Sequence, residues 1–256
     1  MKLVFSVFHL IVSFWGLVAA GIFSCGEDDK SCLSSFFNSS SVLGAFLGDH
    51  GTVIFQNALV KNTTACPAMS VIFARGTAEP GNVGILTGPP FFAAIADYMN
   101  ATGNLAIQGV DYPADIPGFL AGGSTQGAQT MAKLVNKTLA ACPNTQLLLS
   151  GYSQGAQVVH LAAASLPTNT TSKISSIVLF GDPKNGTAIN GVDASKVMTI
   201  CHSGDDICKG GDDISLAHLN YSLDAGTAAM FALGSSGAKL GITSQRLRPA
   251  GGGLGL

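Results

Sequence analysis

Residues 147–157 read LLLSGYSQGAQ, and this stretch decides the fold class. An apolar run typical of a buried strand leads into segment 154–166, which has the length and composition of a helix. Ser153 falls at the turn between them, with Gly151 and Gly155 two residues away on either side. A serine in so sharp a turn sits in strained backbone, and neighbouring side chains would clash, so these glycines are what a nucleophile elbow requires. The bare pattern also arises by chance in a glycine-rich chain, but the flanking strand and helix favour a nucleophile.

Short apolar runs followed by longer helical segments continue on both sides of this stretch. The predicted strands are MSVIFA (69–74), LAIQGV (105–110), QLLLSG (146–151), SSIVLFG (175–181) and KVMTIC (196–201). The predicted helices are PPFFAAIADYMN (89–100), STQGAQTMAKLVNKTLAA (124–141), QGAQVVHLAAASL (154–166) and a segment at about 223–233. This alternation predicts an α/β fold, a three-layer α/β/α sandwich with a central five-stranded parallel sheet.

The chain divides into four predicted regions. Residues 1–20 place one positive charge before an apolar run that ends in small residues, which predicts a cleaved secretory signal peptide. The alternative, a membrane anchor, is disfavoured because the apolar run is short and no basic cluster follows it. Residues 21–65 are interpreted as an N-terminal extension, 66–245 as the main domain and 246–256 as a disordered tail.

The composition narrows the class of protein. The chain has 256 residues, 47% of them hydrophobic, which suffices for one large core. A net charge of −2 suggests neither nucleic acid nor an anionic membrane surface as a partner. Six cysteines beyond the leader, an even set in an exported chain, predict three disulfides, for which fifteen pairings are possible. Seven sequons are acceptor sites for N-glycosylation in a eukaryotic host, at Asn38, Asn62, Asn100, Asn136, Asn169, Asn185 and Asn220.

A serine nucleophile needs a histidine base, and in α/β sheets of this kind the order along the chain is serine, acid, histidine. Only His202 and His218 follow the later strands. His160 lies two helical turns beyond Ser153 on the same helix, too far to share its proton, and is interpreted as a helix-face or core histidine. His202 comes directly after the last strand, whereas His218 stands in a loop with room to reach back over the strand ends. We therefore favour His218 as the base.

The orienting acid has two candidates. Asp205 lies in CHSGDDIC, a short loop at the carboxyl end of the last strand. A disulfide between Cys201 and Cys208 would hold its geometry, although so small a ring contributes little through chain entropy. The same letters are also ordinary turn chemistry. Asp182, in FGDP after the preceding strand, lies on the same side of the sheet and remains the alternative.

Several motifs of the chain, in this order, resemble those of the fungal cutinases and the related acetylxylan esterases. They are IFARGTAEPGNVG, QGVDYPA, CPNTQLLLSGYSQGAQ, FGDPKNG and CHSGDDIC with HLNY after it. The resemblance covers about residues 66–231 and implies an α/β-hydrolase-like fold of the cutinase type. It implies Ser153 as nucleophile, His218 as general base and acid, and Asp205 as the group that orients and stabilises the imidazolium.

The resemblance also bears on the oxyanion hole. The N–H of Gln154, at the start of the helix after Ser153, points to where an oxyanion would develop, assisted by the positive end of the helix dipole. The resemblance implies Thr77, in RGT, as the second donor, through both its backbone N–H and its hydroxyl. Arg75, just before it, is expected to support the loop by hydrogen bonds and not to touch substrate.

The resemblance implies a disulfide pattern as well. It pairs Cys66 with Cys142 and Cys201 with Cys208, and so leaves Cys25 and Cys32 as the third pair.

The chain departs from the family at the loop that carries the histidine. Relatives usually have apolar side chains there, whereas this chain has KGGDDISLA, with Asp212 and Asp213. A less apolar rim should hold long acyl chains less well. Ala217 stands where many relatives have proline, which should loosen the loop that carries His218.

Three functions follow as hypotheses. The first is a secreted, monomeric serine esterase that hydrolyses cutin-like polyesters and short-to-medium-chain esters through an acyl-enzyme and needs no metal or organic cofactor. The second is an acetylxylan esterase, favoured by Asp212 and Asp213 and disfavoured because the only tryptophan, Trp15, is lost with the leader. The third is a non-catalytic wall or surface protein on a hydrolase scaffold. The expected partner is an ester substrate, a polyester or an acylated polysaccharide, with no nucleic acid and no stable membrane anchor.

Overall fold

The computed structural model describes residues 54–59, 66–99 and 105–234. The predicted signal peptide, most of the N-terminal extension with Cys25 and Cys32, and the predicted disordered tail lie outside the described residues. None of the helices within the described ranges is both long and apolar enough to cross a bilayer.

Five strands form one parallel sheet in the order β2-β1-β3-β4-β5. The strands are β1 (Met69–Ala74), β2 (Leu105–Gly109), β3 (Gln146–Tyr152), β4 (Ser176–Phe180) and β5 (Val197–Ile200). Every residue of β1, β3 and β4 is buried, because helices cover both faces of the sheet, and this is why these sequences read as continuous apolar runs. Strand β2 is added on one side of β1, and strands β3 to β5 are added on the other side, so the strand order reverses between β1 and β3. Ligands of such sheets bind at the carboxyl ends of the strands where the order reverses.

Helices alternate with the strands along the chain. The α-helices are α1 (Gly88–Tyr98), α2 (Ile116–Leu120), α3 (Thr125–Ala141), α4 (Gln154–Ser165), α5 (Thr168–Thr171), α6 (Leu216–Leu219) and α7 (Ala225–Gly234). Three short 3₁₀ helices lie at Ala194–Lys196, Ile207–Lys209 and Tyr221–Asp224. Ser124 is the N-cap of α3, because its hydroxyl accepts the Gly127 N–H at the start of the helix.

The core has two halves, one on each face of the sheet. In β1, Ile72 and Ala74 pack with residues of α3 and α4, whereas Val71 and Phe73 pack with residues of α1 and α7. This alternation follows from the two-residue period of a strand. The predicted three-layer α/β/α sandwich with a five-stranded parallel sheet is therefore confirmed.

Every predicted strand and helix is present, and each observed boundary lies within two residues of the prediction. The short helices α2, α5 and α6 were not predicted, because four or five residues are too few to show a helical period. One consequence concerns His218, which lies in α6 and not in an open loop.

Part of the N-terminal extension packs on the edge of the sheet. The backbone N–H of Gly109, at the end of β2, donates to the carbonyl of Gln56 at 2.8 Å. Asn57 forms an antiparallel bridge with Gln108, and Ile54 accepts the backbone N–H of Asn82 at 2.9 Å. Residues 54–59 therefore cover the outer strand next to the segment that follows Thr77.

Candidate active site

Ser153 occupies a strained turn between β3 and α4. Its φ of 57° lies in the left-handed region that non-glycine residues rarely adopt. The turn is tight on both sides, since a Cβ on Gly151 would lie 2.2 Å from the carbonyl oxygen of Gly155, and one on Gly155 would lie 2.0 Å from that of Ala74. The Ser153 N–H donates to the Phe180 carbonyl at 2.9 Å, which ties the turn to the end of β4. The glycines are thus sterically required here, as the sequence predicted.

His218 lies beside Ser153 with both ring nitrogens engaged. Its Nε2 is 2.9 Å from the Ser153 Oγ, and its Nδ1 is 2.8 Å from the Asp205 Oδ2. An ionised carboxylate only accepts hydrogen bonds, so the Nδ1 carries the proton and the Nε2 is free to accept the serine proton. The three residues are 4%, 2% and 0% exposed for Ser153, His218 and Asp205. The predicted nucleophile, base and acid are therefore adjacent in the structure.

Asp205 accepts hydrogen bonds on both of its carboxylate oxygens. Beyond His218, its Oδ2 accepts the Tyr221 hydroxyl at 2.6 Å, and its Oδ1 accepts the Ile207 N–H at 3.0 Å. Burial opposes ionisation of Asp205, but the hydrogen bonds from His218 and Tyr221 outweigh it, so the pKa of this carboxyl lies below its usual value. Asp205 therefore stays charged at neutral pH and can stabilise an imidazolium.

Disulfide Cys201–Cys208 closes the loop that carries Asp205, and disulfide Cys66–Cys142 links the start of β1 to the end of α3.

The imidazole of His218 is packed between aromatic rings. Tyr152, the last residue of β3, stacks on it with ring centroids 5.2 Å apart, and the Tyr152 hydroxyl donates to the His218 carbonyl at 2.8 Å. Tyr221 contacts the same imidazole edge-on. Below it lies Gly181 with φ 54°, where a Cβ would come within 2.8 Å of the imidazole Cε1. The ring is therefore fixed in orientation and cannot swing away from Ser153 without displacing its neighbours.

The predicted oxyanion donors Thr77 and Gln154 contact one another. The Gln154 Nε2 donates to the Thr77 Oγ1 at 2.9 Å and to the Asp115 carbonyl at 2.7 Å. Because the Thr77 oxygen accepts from Gln154, the Thr77 hydroxyl proton remains available for an oxyanion. Sequence reasoning gave Gln154 a backbone role only and missed this side-chain role, for which the sequence carries no signal.

A buried carboxylate shapes the loop that carries Thr77. Glu79 accepts the N–H of Gly76 at 2.8 Å on one oxygen and the N–H groups of Ile85 and Leu86 at 3.0 and 2.9 Å on the other. Burial raises the pKa of Glu79, although these three amides act in the opposite direction. Sequence reasoning did not single out Glu79.

Arg75 supports the same loop, as expected from the sequence. Its guanidinium donates to the carbonyls of Glu79 at 2.7 Å and Tyr112 at 2.9 Å, and lies over the Tyr112 ring.

The alternative candidates are engaged elsewhere. Asp182 is 2.9 Å from the Nε2 of His160, a buried contact, and its other oxygen accepts the Lys184 N–H. His202 contacts Asp224 at 2.6 Å and the Ala217 carbonyl at 2.8 Å. The structure therefore brings neither Asp182 nor His202 to the serine. Among the described residues, no group of three or more His, Cys, Asp or Glu side chains could hold a metal ion.

Large apolar side chains are exposed on the segments that carry the site. Leu216, two residues before His218, is 80% exposed, and Leu120, at the end of α2, is 61% exposed. Ile85, whose N–H binds Glu79, is 48% exposed. Asp212 and Asp213 are exposed as well, so the exposed surface of these segments combines apolar and acidic side chains.

Comparison with known proteins gives consistent matches. Residues 65–235 match the family model described as Cutinase. A cutinase of Botryotinia fuckeliana is 53% identical over 173 residues, which cover 68% of this chain and 85% of that protein. The cutinase pbc1 of Pyrenopeziza brassicae is 49% identical over 195 residues, covering 75% and 96%.

Solved structures agree with the sequence matches. A Trichoderma reesei cutinase in complex with a C11Y4 phosphonate inhibitor is 40% identical and has a TM-score of 0.67, covering 88% of this chain and 97% of that chain. The catalytic core domain of the Trichoderma reesei acetyl xylan esterase, covering 67% and 100%, is 23% identical with a TM-score of 0.52, a likeness of fold alone.

Proposed function

The chain belongs to the cutinase family and is a carboxylic ester hydrolase of the serine type, and on this premise we propose that Ser153 hydrolyses cutin-like polyesters and short-to-medium-chain esters through an acyl-enzyme. One observation carries the proposal. The Ser153 Oγ, the His218 imidazole and the Asp205 carboxylate form an unbroken hydrogen-bond chain of 2.9 and 2.8 Å at a strained strand-to-helix turn.

The first half of the reaction acylates the serine. The Ser153 Oγ attacks the ester carbonyl carbon while its proton moves to the Nε2 of His218, and Asp205 stabilises the imidazolium that forms. The Thr77 hydroxyl and the Gln154 N–H donate to the oxyanion of the tetrahedral intermediate. When the C–O bond to the alcohol breaks, the imidazolium returns the proton to the leaving alkoxide, and the acyl group stays on Ser153.

The second half releases the acid. Water takes the place of the alcohol, His218 accepts its proton, and the hydroxide oxygen attacks the acyl carbon. The intermediate collapses, the Ser153 Oγ regains a proton from His218, and the carboxylic acid leaves. The same donors serve both halves, because both tetrahedral intermediates place their oxyanion at the same point.

The exposed Leu120, on the helix that follows Asp115, and the exposed Leu216, on the helix that carries His218, support an apolar polyester as the substrate, since they offer acyl chains an apolar surface. We further propose that the chain is exported through residues 1–20 and acts outside the cell as a monomer, without a nucleic-acid partner. The predicted leader and disulfides Cys66–Cys142 and Cys201–Cys208 support export, because disulfides persist in oxidising compartments.

Removal of acetyl groups from a plant polysaccharide is the second candidate function. It uses the same nucleophile, base and acid on a shorter acyl group. The observation that favours it is the pair of exposed carboxylates, Asp212 and Asp213, a few residues before His218. These charges offer hydrogen-bond acceptors to sugar hydroxyls and do not favour long alkyl chains.

A chain-length profile with p-nitrophenyl esters tests both candidates. We expect faster hydrolysis of the butyrate than of the acetate, together with acid release from cutin. A strong acetate preference with acetyl release from acetylated xylan would replace the first candidate by the second. Ser153→Ala should lower kcat on the order of 10⁶-fold, because the nucleophile is lost.

A neighbouring serine provides the matched control. Ser150 lies three residues earlier in β3, is fully buried, and its hydroxyl has no hydrogen-bond partner among the residues that the structure describes. Ser150→Ala should therefore keep the activity of the parent enzyme. Activity that survives in Ser153→Ala would contradict the mechanism.

A further inference from the structure

The catalytic aspartate has a donor that the proposed reaction does not use. The Tyr221 hydroxyl lies 2.6 Å from the Asp205 Oδ2, the same oxygen that accepts the His218 Nδ1 proton at 2.8 Å. Two donors therefore converge on one carboxylate oxygen. Their directions fix the rotation of the carboxyl group, and with it the line along which His218 is held.

Tyr221 is itself fixed in position. The residue is 1% exposed, and its hydroxyl accepts the backbone N–H of His202 at 3.0 Å while it donates to Asp205. Its ring is stacked on the His202 imidazole, with centroids 4.2 Å apart and planes 18° from parallel. His202 thus holds Tyr221 twice, through its backbone at the hydroxyl and through its side chain on the ring face.

His202 is clamped in turn by groups that suit either protonation state. Its Nε2 is 2.6 Å from Asp224 and its Nδ1 is 2.8 Å from the Ala217 carbonyl, so the charged ring donates to both. The amide of Asn220, oriented to satisfy its own hydrogen bonds, donates to the same Nδ1 at 2.8 Å, so the neutral ring keeps two partners as well. The clamp therefore does not depend on the charge of His202.

We propose that Tyr221 is a positioning residue for Asp205, and that the pair His202 and Asp224 holds Tyr221 in place. This inference rests on the proposed function, since it assigns a role relative to the acid of the triad. Tyr221 makes no hydrogen bond to Ser153; its hydroxyl acts through Asp205, and its ring packs edge-on against the His218 imidazole. His202, a candidate base by its position in the sequence, here holds Tyr221 in place.

Replacement of one hydroxyl tests the proposal. Tyr221→Phe keeps the ring and removes the donor, and the matched control is Tyr98→Phe, in α1 away from the triad. We expect Tyr221→Phe to lower kcat about tenfold, the loss typical of one hydrogen bond to a charged group, with KM changed less than about twofold. The control should match the parent enzyme in both constants.

The pH profile separates this role from simple packing. With one donor removed, Asp205 attracts the His218 imidazolium more strongly, so the acid limb of the kcat/KM profile should move to higher pH. Tyr152, which stacks on His218, has its pKa raised by burial and does not titrate on that limb. His202, which stacks on residue 221, is present in both Tyr221→Phe and the Tyr98→Phe control, so the difference between these two variants is the quantity compared. A kcat and an acid limb that equal those of Tyr98→Phe would overturn the proposal.

A double-mutant cycle tests whether His202 acts through Tyr221. His202→Ala should lower kcat about threefold in the parent enzyme and leave it unchanged in the Tyr221→Phe background, because its effect passes through Tyr221. Equal losses in both backgrounds would overturn the role given to His202.

Titration of each variant with a p-nitrophenyl alkylphosphonate gives kcat per reactive serine, so variants that fold poorly are still compared per active site. A parent enzyme that this probe fails to label would refute the proposed function itself. Normal labelling of the parent with no effect of Tyr221→Phe would refute only this inference.

Discussion

Two buried histidine–aspartate pairs, one beside Ser153 at the start of helix α4 and one further along the same helix, differ little in their own geometry. His218 and Asp205 are 2.8 Å apart with side chains 2% and 0% exposed, and His160 and Asp182 are 2.9 Å apart with side chains 5% and 1% exposed. The pairs differ in which nitrogen meets the carboxylate. The Nδ1 of His218 contacts Asp205 and its Nε2 contacts Ser153, whereas the Nε2 of His160 contacts Asp182.

This comparison shows that a buried His–Asp contact does not by itself make an active site. The Asp182 carboxylate also accepts the Lys184 N–H, so the pair joins α4 to the segment after β4 as an ordinary structural contact. The pair proposed to be catalytic also contacts Ser153, the proposed nucleophile, which lies on a strained turn. Substitution of corresponding residues in the two pairs should therefore separate loss of activity from loss of stability.

The largest difference is expected between the two histidines. His218→Ala should lower kcat on the order of 10⁶-fold, because it removes the base. His160→Ala should leave kcat within about twofold and lower the free energy of unfolding by ~3 kcal/mol, because the Asp182 carboxylate stays buried without its partner. Ester hydrolysis and urea denaturation of both variants measure these effects. A loss of activity in His160→Ala comparable with that in His218→Ala would break the comparison.

The two aspartates should differ by a smaller factor. Asp205→Asn keeps the shape of the side chain but favours the wrong histidine tautomer, so kcat should fall on the order of 10⁴-fold. Asp182→Asn still accepts a hydrogen bond from His160 and should lower kcat less than about threefold. Steady-state kinetics per phosphonate-titrated site measures both. Equal losses for the two variants would mean that the Asp182 pair also supports the reaction.

The sequence predicted much of this fold because its signals are local. Buried parallel strands such as β3 read as unbroken apolar runs, and α3 and α4 are long enough to show their period. Helix α6 has four residues and carries no such period, so the sequence predicts a loop for the segment that holds His218. The order Ser153, Asp205, His218 was still legible, because it depends on chain order and not on the details of that segment.

The supporting contacts of the site were not predictable in the same way. Glu79 binds three backbone amides, and Tyr221 binds a carboxylate sixteen residues before it in the chain. Neither contact leaves a spacing or a periodicity in the sequence, because each depends on how separate loops meet above the sheet. The same reason applies to the two His–Asp pairs. The distance along the helix excludes His160 as the base for Ser153, but nothing in the sequence indicates that Asp182 is its partner.

A third histidine–aspartate pair, His202 and Asp224, is more exposed than the other two, with side chains 23% and 26% exposed. Burial disfavours the charged form of His202, but the hydrogen bonds to Ala217 and Asp224 outweigh it and raise the pKa of His202 above its ordinary value. Because the folded pKa is higher than the unfolded value of about 6.5, protonated His202 stabilises the folded state. This stabilisation is complete below that pH and is lost as the pH rises through the folded pKa.

Stability measurements across pH therefore give the smallest of the expected effects. The difference in unfolding free energy between the parent and His202→Gln should be at most ~1 kcal/mol below pH 6, as for other exposed pairs, and should shrink steadily toward pH 9. Asp224→Asn should reduce the same pH-dependent difference, because it removes the charge that favours the imidazolium. Urea denaturation at a series of pH values measures both. A difference that grows with pH would show that His202 is stabilised in its neutral form, and the third pair would then be a neutral hydrogen bond.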